Sequence, residues 1–375
     1  DIQRVEITAG KRKQLQSEVA GTVTAISGAR LEQLGTVDAE DLFKLSPGVQ
    51  FNKDNADGAM ISIRGIGTNT VSDNVIFGQS PTGLYIEDVP VTDPYVYIST
   101  PDVVPFDLER VEVLRGPQGA LYGSASLGGA VRYLFAKPDL RLDSFSVLTG
   151  LSSVAHGGMG FHGEAMANAV LSKDAAAIRF VLTKREVPGY IDNVTTGKRE
   201  INASNAESAR VILALKPLRD LSITATYMTQ QSKQGGDGGV SPSPDELSVA
   251  APTDAHILSR FDLGSVQADW DVAGLKVTSL TGFTTKRRNQ DSDLSYLLVP
   301  DFTLYGGIEY PDVDRALNVE RRHARSFTQE IRMAPANPGA LNWLVGAFHQ
   351  KTAFYRSQSI TLPGANDAEN LPDDT

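Results

Sequence analysis

The amino-acid sequence predicts a compact α+β domain over residues 1–140, followed over residues 141–375 by an antiparallel β-barrel that crosses a membrane. Three observations support this prediction. Signals for short helices and short strands are mixed in the first region, whereas segments of alternating apolar and polar residues fill the second. The connections between these segments are short and long in turn, which is typical of strands that cross a bilayer.

Two short helices are predicted in the first region. One, at 27–35, begins at Ser27, whose hydroxyl can accept a hydrogen bond from the first turn, and ends at Gly35, which tolerates the left-handed conformation. The other, at 38–48, begins at Asp38, has acidic residues in its first turn and ends at a Pro-Gly pair. The strands predicted in the same region are 59–67, 82–91, 108–116 and 129–136.

Nine candidate strands follow, most of them about 9 to 13 residues long. In the segment 176–186, for example, Ile178 and Phe180 alternate with Arg179 and Arg185, so one face is apolar and the other is polar. The candidate strands are 144–153, 161–172, 176–186, 207–216, 221–231, 264–272, 275–286, 323–334 and 342–355.

The lengths of the connections distinguish two kinds of β structure. The long connections are 187–206, about 232–263 and about 287–322, and the short ones are 172–175, 217–220 and 273–274. An outer-membrane barrel has short turns on the periplasmic side and long loops outside, and it must be closed because lipid tolerates no unpaired strand edge. Alternation alone leaves open a soluble antiparallel β domain with elaborated loops. The alternating loop lengths favour the membrane barrel.

Composition excludes several classes of protein. The chain has no cysteine, which excludes thiolate catalysis, cysteine-based metal sites and disulfides. A net charge of −10 argues against nucleic acid as a partner. No run of about 18 apolar residues is present, so no membrane-spanning helix is predicted. The five histidines are scattered without metal-ligand spacing, and we predict neither a metal site nor a cofactor.

The glycine-rich stretch LRGPQGALYG at 114–123 needs a separate interpretation. It lacks the lysine of a phosphate-binding loop, and no serine near it lies in the Gly-x-Ser-x-Gly pattern of a nucleophile elbow. No catalytic residues are therefore predicted, and the protein is not expected to be an enzyme. The strand before it is unusually charged, and its glycines permit close backbone approach. We therefore expect this stretch to lie against a polar wall.

Several segments of residues 1–140 resemble those of a known family, the TonB-dependent outer-membrane receptors. The resemblance implies an α+β plug domain inside an antiparallel transmembrane β-barrel of about 22 strands, of which about nine are present here, so the barrel is incomplete in this sequence. On this interpretation residues 1–12 are an N-terminal segment, 13–140 the plug and 141–375 the N-terminal part of the barrel. The segments that carry the resemblance are, in order, 5–12, 31–49, 61–67, 84–91, 108–131 and 137–138.

The resemblance also implies a function. Members of the family import scarce, bulky ligands across the outer membrane of Gram-negative bacteria, with a ferric siderophore as the default substrate and with TonB, part of an inner-membrane energising complex, as partner. Cobalamin, a glycan or an aromatic compound are alternative substrates, and a non-transporting, surface-binding envelope protein is an alternative of a different class. Outer-membrane lipid is a further expected partner and a surface lipoprotein is a further candidate, whereas nucleic acid is not expected to bind.

Site residues are carried over from the resemblance by position. The candidate TonB box, which TonB would pair with as an added strand, is Val5, Glu6, Ile7, Thr8 and Ala9; a frayed leading strand is the alternative. The candidate plug latch is Arg64, Glu112 and Arg115, and its arginines are expected to pair with Glu164 and Glu330 on the barrel wall. A purely structural role is also open for these arginines.

Candidate substrate contacts lie in the predicted apical loops of the plug. They are Asn69, Thr70, Glu87, Asp93, Tyr95 and Tyr97. Glu87 departs from the usual family pattern, and we expect it to add a carboxylate to the side that faces the substrate. Alternatively, all six are ordinary exposed loop residues that do not contact a substrate.

Overall fold

In the computed structural model a five-stranded sheet and three short helices pack against the inner face of a nine-stranded antiparallel sheet. The residues that the structure describes are 6–8, 10–11, 14–15, 22–52, 60–66, 81–92, 101–123, 126–236, 247–295, 315–337 and 341–363. We call residues up to 143 the plug and the nine-stranded sheet the wall.

The plug contains twelve elements in the described residues. They are β1 (Glu6–Ile7), β2 (Gln14–Leu15), β3 (Thr22–Ser27), α1 (Gly28–Gln33), α2 (Ala39–Lys44), β4 (Val49–Asn52), β5 (Met60–Ile63), β6 (Thr82–Ile86), β7 (Val89–Pro90), β8 (Leu108–Arg115), α3 (Gly119–Tyr122) and β9 (Gly129–Phe135). The main sheet has the order β3-β8-β9-β6-β7, in which only β6 and β9 are parallel. Two small antiparallel pairs, β1-β2 and β4-β5, lie beside it.

Both predicted helices are present, and each begins at the expected residue. The hydroxyl of Ser27 accepts a hydrogen bond from the backbone N–H of Arg30 at 3.3 Å, and the carboxylate of Asp38 accepts one from Asp41 at 3.0 Å. At Gly28 the first residue of α1 packs so closely on β8 that an added Cβ would lie 1.8 Å from the carbonyl oxygen of Leu108. Only glycine permits this approach.

The wall is built from nine long strands, each paired with the next along the chain. They are β10 (Ser144–Ser153), β11 (Met159–Ser172), β12 (Ala176–Val187), β14 (Ser204–Leu218), β15 (Leu221–Gly235), β17 (His256–Val272), β18 (Leu275–Asp293), β19 (Leu317–Pro335) and β20 (Val345–Thr361). Two further short strands, β13 (Asp192–Asn193) and β16 (Ser248–Val249), form a parallel pair between two of the long connections.

All nine predicted strands are found, but several are longer than predicted. β18 was expected to end at residue 286 and continues to Asp293, and β19 begins at Leu317 rather than 323. The apolar-polar alternation is required only where one face of a strand meets lipid. Backbone pairing continues beyond that level, where both faces are polar, so the pattern underestimates the strand length.

The two ends of the wall differ. We call the end with the short connections 173–175, 219–220, 273–274 and 336–344 the turn end, and the opposite one the loop end. In one of the two-residue turns, at 273–274, both residues are in the left-handed region, with φ of 51° at Ala273 and 78° at Gly274. Such two-residue turns match the twist of paired strands.

The plug and the wall share one apolar core. The cluster that contains Leu31, Phe43 and Val111 of the plug also contains Ile212, Met228, Phe261, Leu263 and Leu280 of the wall. On the other face, large apolar side chains point away from the plug: Phe180 and Leu182 are 44% and 58% exposed. The predicted division of wall residues into two faces is therefore confirmed. No helix among the described residues has the length and apolarity needed to cross a bilayer.

Candidate functional site

Charged side chains join the plug to the wall at several places. The first is Asp107 of the plug, which is buried, has a φ of 55° and lies directly before β8. Its carboxylate accepts hydrogen bonds from the Nε atom of Arg179 on β12 at 2.9 and 3.1 Å, and from Arg210 on β14 at 3.0 Å. Arg210 also bonds the Asp107 carbonyl oxygen, and its guanidinium lies 3.9 Å from the centre of the Phe135 ring. Two strands of the wall thus hold one plug carboxylate.

A second contact lies further toward the loop end. Arg185 on β12 forms an ion pair with Asp102 and lies 3.5 Å from the carboxylate of Asp38, the residue that caps α2. Gln230 on β15 donates a hydrogen bond to the carbonyl oxygen of Asp102. One wall arginine therefore fixes two separate segments of the plug.

The third contact lies near the turn end of β19 and centres on Asp88. This buried carboxylate pairs with Arg132 of the plug at 2.7 Å, with Arg332 of the wall at 2.7 Å, and with Lys11 at 3.4 Å. Glu330 of the wall completes the group, because it pairs with Lys11 at 3.2 Å and with Arg332 at 3.0 Å. Three cations and two carboxylates therefore meet where the plug touches β19.

The N-terminal segment is joined to this group. The backbone N–H of Thr8 donates to the fully buried carboxylate of Glu112 at 2.8 Å, and Arg132 donates to both Glu112, at 2.6 Å, and the Thr8 hydroxyl, at 3.0 Å. Ile7 is fully buried in an apolar cluster with Tyr85. Of the candidate TonB box, Ile7 and Thr8 are therefore packed against the rest of the plug. Val5 and Ala9 lie outside the described residues.

Asp88 should make plug stability depend on acid pH. Burial by itself raises the pKa of Asp88, but Lys11, Arg132 and Arg332 outweigh it and hold the pKa well below its usual range. A depressed folded-state pKa gives stability that is complete above the unfolded value, about 3.9, and is lost as the pH falls through the folded pKa. We expect the urea concentration at the midpoint of plug unfolding to be constant between about pH 5 and 8 and to decrease below about pH 4. In Asp88→Asn this acid-dependent loss should shrink; an unchanged acid profile would contradict the assignment.

The structure corrects the predicted latch. Among the described residues Arg64 donates to the Thr22 hydroxyl at 3.4 Å, and Arg115 donates to the carbonyl oxygen of Pro47 and to Thr24, all within the plug. Arg115 ends β8 beside β3, so Thr24 on β3 is within reach of its guanidinium group, and its other acceptor, Pro47, also belongs to the plug. Glu112 likewise bonds within the plug, to Arg110, Arg132 and Thr8.

The predicted wall partners differ in their surroundings. Glu330 does contact the plug, but through Lys11 rather than through an arginine of the plug. Glu164 lies on the inner face of β11 and is buried, and its Oε2 atom has no hydrogen bond to a described residue. The dominant polarity is thus the reverse of the prediction, since wall arginines meet plug carboxylates.

Glu87 also lies elsewhere than expected. Its carboxylate accepts a hydrogen bond from the backbone N–H of Phe135 at 2.8 Å and pairs with Lys137 at 2.6 Å. Its neighbour Asp88 contacts Arg332 near the turn end, so Glu87 stabilises the β6–β7 turn and does not lie on the side of the long loops. The other candidate substrate contacts, Asn69, Thr70, Asp93, Tyr95 and Tyr97, lie outside the described residues.

The sequence reasoning missed a row of arginines on the inner face near the loop end. Arg288 on β18, Arg322 on β19 and Arg356 on β20 are directly opposite one another in the strand register. Glu320, on the same face, pairs with Arg322 at 2.7 Å and with Arg356. We call Arg288, Arg322 and Arg356 the inner arginine row. Like charges directly opposite one another in a sheet repel. The inward positions of these arginines on three neighbouring strands were the sequence signal from which the row could have been predicted.

Comparison with known proteins agrees with this architecture. Residues 15–130 match the family model described as the TonB-dependent Receptor Plug Domain. The chain is 23% identical over 326 residues to the vitamin B12 transporter of Vibrio vulnificus, covering 82% of this chain and 49% of the relative. It is 32% identical over 143 residues to the pesticin receptor of Yersinia pestis, covering 37% of this chain and 20% of the relative.

Solved structures show the same fold. The ferric yersiniabactin uptake receptor of Yersinia pestis aligns with a TM-score of 0.74 at 16% identity, covering 92% of this chain and 50% of that one. The unliganded ferric citrate transporter aligns with a TM-score of 0.73 at 14% identity, covering 96% of this chain and 51% of that one. The chain therefore spans about half the length of the relatives it matches.

A plug domain docked on the inner face of a transmembrane β-sheet defines the class of plugged outer-membrane barrels. Residues 15–130 match the plug domain of TonB-dependent receptors, and the plug together with the nine-stranded wall has the fold of solved receptors of this class. The relatives named above are a transporter and a receptor.

Proposed function

We propose that this chain acts in TonB-dependent active import of a scarce, bulky ligand across the outer membrane, with an anionic ferric siderophore as the substrate. The observation that carries the proposal is the docking of Thr8 and Lys11 on the buried ion pairs around Asp88. Lys11 contacts Asp88 of the plug and Glu330 of the wall at once. Force applied to the N-terminal segment would therefore act directly on a plug–wall contact.

The ion pairs suggest how such force is used. Withdrawing the segment takes Lys11 away from Asp88 and Glu330, and takes the Thr8 N–H away from Glu112. The contact near β19 is weakened because one of its three cations is lost. The pairing of Asp107 with β12 and β14 does not involve the segment and stays in place. The plug would thus loosen first on the side of β19.

The inner arginine row supports an anionic substrate. Among the described residues, Arg322 and Arg356 pair with Glu320, and Arg288 donates a hydrogen bond to the side-chain oxygen of Gln290 at 3.1 Å. An iron chelate that carries carboxylate or catecholate oxygens can accept hydrogen bonds from such a row. Two of the similar structures are named for ferric ligands, and the Vibrio vulnificus relative for vitamin B12. Vitamin B12 is therefore the second candidate.

Deleting residues 1–9 of the full-length receptor tests the energised step. We expect the variant to keep ligand binding at the cell surface and to lose energy-dependent uptake to background, because TonB has no segment to pull. Binding and accumulation of a radiolabelled ligand are measured in the same cells. A receptor altered only at the exposed Lys44 (Lys44→Gln) is the control and should behave as wild type. Uptake that survives the deletion would rule out energised import through this segment.

Growth assays identify the substrate. Cells with and without the gene are grown with individual ferric siderophores as the sole iron source, and with vitamin B12, glycans or aromatic compounds under matching limitation. We expect gene-dependent growth on an anionic ferric siderophore. If the gene supports growth only on vitamin B12, vitamin B12 replaces the ferric siderophore as the proposed substrate. If the gene supports growth on none of these compounds, a non-transporting surface protein is favoured.

A further inference from the structure

The outward face of the wall carries a second set of cations. Since the plug contacts define the inner face, alternate residues on each strand point outward. Arg260 on β17, Arg287 on β18, His323 on β19 and Tyr355 on β20 are directly opposite one another on this outer face. Two more cations lie close by, Arg325 on β19 and Lys351 on β20. Arg287, Arg325 and Lys351 are exposed, and we call these three the outer cation cluster.

Aromatic residues fix the level of this cluster in the membrane. Phe283 and Phe327 face outward on β18 and β19, with ring centres 5.0 Å apart. Exposed aromatic residues of a transmembrane barrel lie at the boundary between hydrocarbon and headgroups. Arg287 and Arg325 follow them toward the loop end, by four residues on β18 and by two on β19, and Lys351 is directly opposite Phe327. The cluster is therefore at the level of the headgroups in the outer leaflet.

Three other outward cations of the wall pair with carboxylates of the protein. Lys184 pairs with Glu186 at 2.9 Å and with Glu207 at 3.5 Å. Arg260 pairs with Asp262 at 3.2 Å, and Arg321 with Asp291 at 2.6 Å. The outer cation cluster, by contrast, makes no ion pair with a carboxylate among the residues that the structure describes. An unneutralised group of like charges on a sheet is unfavourable unless an anion binds it.

We propose that the outer cation cluster binds the phosphate groups of a phosphorylated glycolipid of the outer leaflet. The geometry of arginine suits phosphate oxygens, which it can bind through two parallel hydrogen bonds. The lipid's acyl chains would then lie along the apolar surface below, beginning at Phe283 and Phe327. The cluster points away from the plug, so it cannot contact a ligand inside the barrel. This site is thus separate from the inner arginine row and from transport.

The test uses the purified full-length receptor in detergent and native mass spectrometry. The probes are bisphosphorylated lipid A, the same lipid with both phosphates removed, and phosphatidylglycerol. The test variant is Arg287→Gln/Arg325→Gln/Lys351→Gln. The matched control is Lys184→Gln, which removes an outward cation that the protein already neutralises. Circular dichroism and migration on unheated gels establish that each variant is folded.

We expect the wild type and Lys184→Gln to retain bisphosphorylated lipid A, and the triple variant to bind it at least about tenfold more weakly. The dephosphorylated lipid should bind all three alike and weakly. Equal binding of bisphosphorylated lipid A by wild type and the folded triple variant would overturn the proposal, as would an equal loss in Lys184→Gln. If phosphatidylglycerol binds as tightly as bisphosphorylated lipid A, the ligand of the cluster is anionic lipid in general rather than a phosphorylated glycolipid. A triple variant that does not fold is replaced by Arg287→Gln/Arg325→Gln, to which the same criteria apply.

Discussion

Asp107→Ala should weaken the docking of the plug by about 3–5 kcal/mol, the cost of leaving buried charges without their partner. Asp107 is the acceptor for both Arg179 and Arg210, and all three side chains are largely buried. Removing it leaves two guanidinium groups facing each other beside the plug. The loss of plug stability is measured by unfolding the full-length receptor in guanidinium chloride, with hydrogen exchange of the backbone amides in β8 and β9 as the probe.

A compensating variant separates the loss of charge pairing from a general disturbance. Replacing the whole group, as Asp107→Leu/Arg179→Met/Arg210→Met, removes the unpaired charges and should restore much of the stability. The exposed pair of Glu40 and Lys44 supplies a control, and Glu40→Gln should leave plug stability unchanged. If Asp107→Ala behaves like Glu40→Gln, this contact does not hold the plug.

Arg132→Met should have an effect of similar size, about 3–5 kcal/mol, and should in addition release the N-terminal segment. Arg132 is almost fully buried and bonds Asp88, Glu112 and the Thr8 hydroxyl. Without it, two buried carboxylates lose their common partner. We expect faster hydrogen exchange at the Thr8 amide and faster proteolysis before β3, measured on the full-length receptor.

Arg132→Lys is the graded control for this prediction. Lysine keeps the positive charge but cannot reach two carboxylates with a planar group, so its effect should be intermediate. Lys44→Gln, which alters an exposed side chain of α2, should leave proteolysis of the N-terminus unchanged. Wild-type protection of Thr8 in Arg132→Met would contradict the role of Arg132 in holding the segment.

Most of the wall could be predicted from its sequence. The order of the nine strands and the division into faces, such as Phe180 outward against Arg179 inward, follow from a period of two and from the bilayer. The helix starts at Ser27 and Asp38 are equally local signals, and both were found as predicted. Strand ends at the loop end were missed, because pairing continues where the apolar pattern has stopped.

The contacts between plug and wall could not be predicted in the same way. Asp107 and Asp102 lie in irregular segments, so no periodic pattern shows which way their side chains point. Arg115 looked like a latch, but both of its acceptors belong to the plug itself. Glu87 was placed on the ligand side, whereas its turn lies near the opposite end. Pairings of this kind depend on three-dimensional register between two units, which one sequence does not reveal.

The arrangement of plug carboxylates against wall arginines has a consequence for exchanging parts between receptors. A plug with acids at 88, 102 and 107 will seat only in a barrel that presents cations at the facing positions, here Arg332, Arg185, Arg179 and Arg210. Grafted into a barrel with carboxylates there, the same plug would meet like charges at each of its anchoring points. Compatibility of chimeric receptors should therefore follow from these few positions rather than from overall sequence identity.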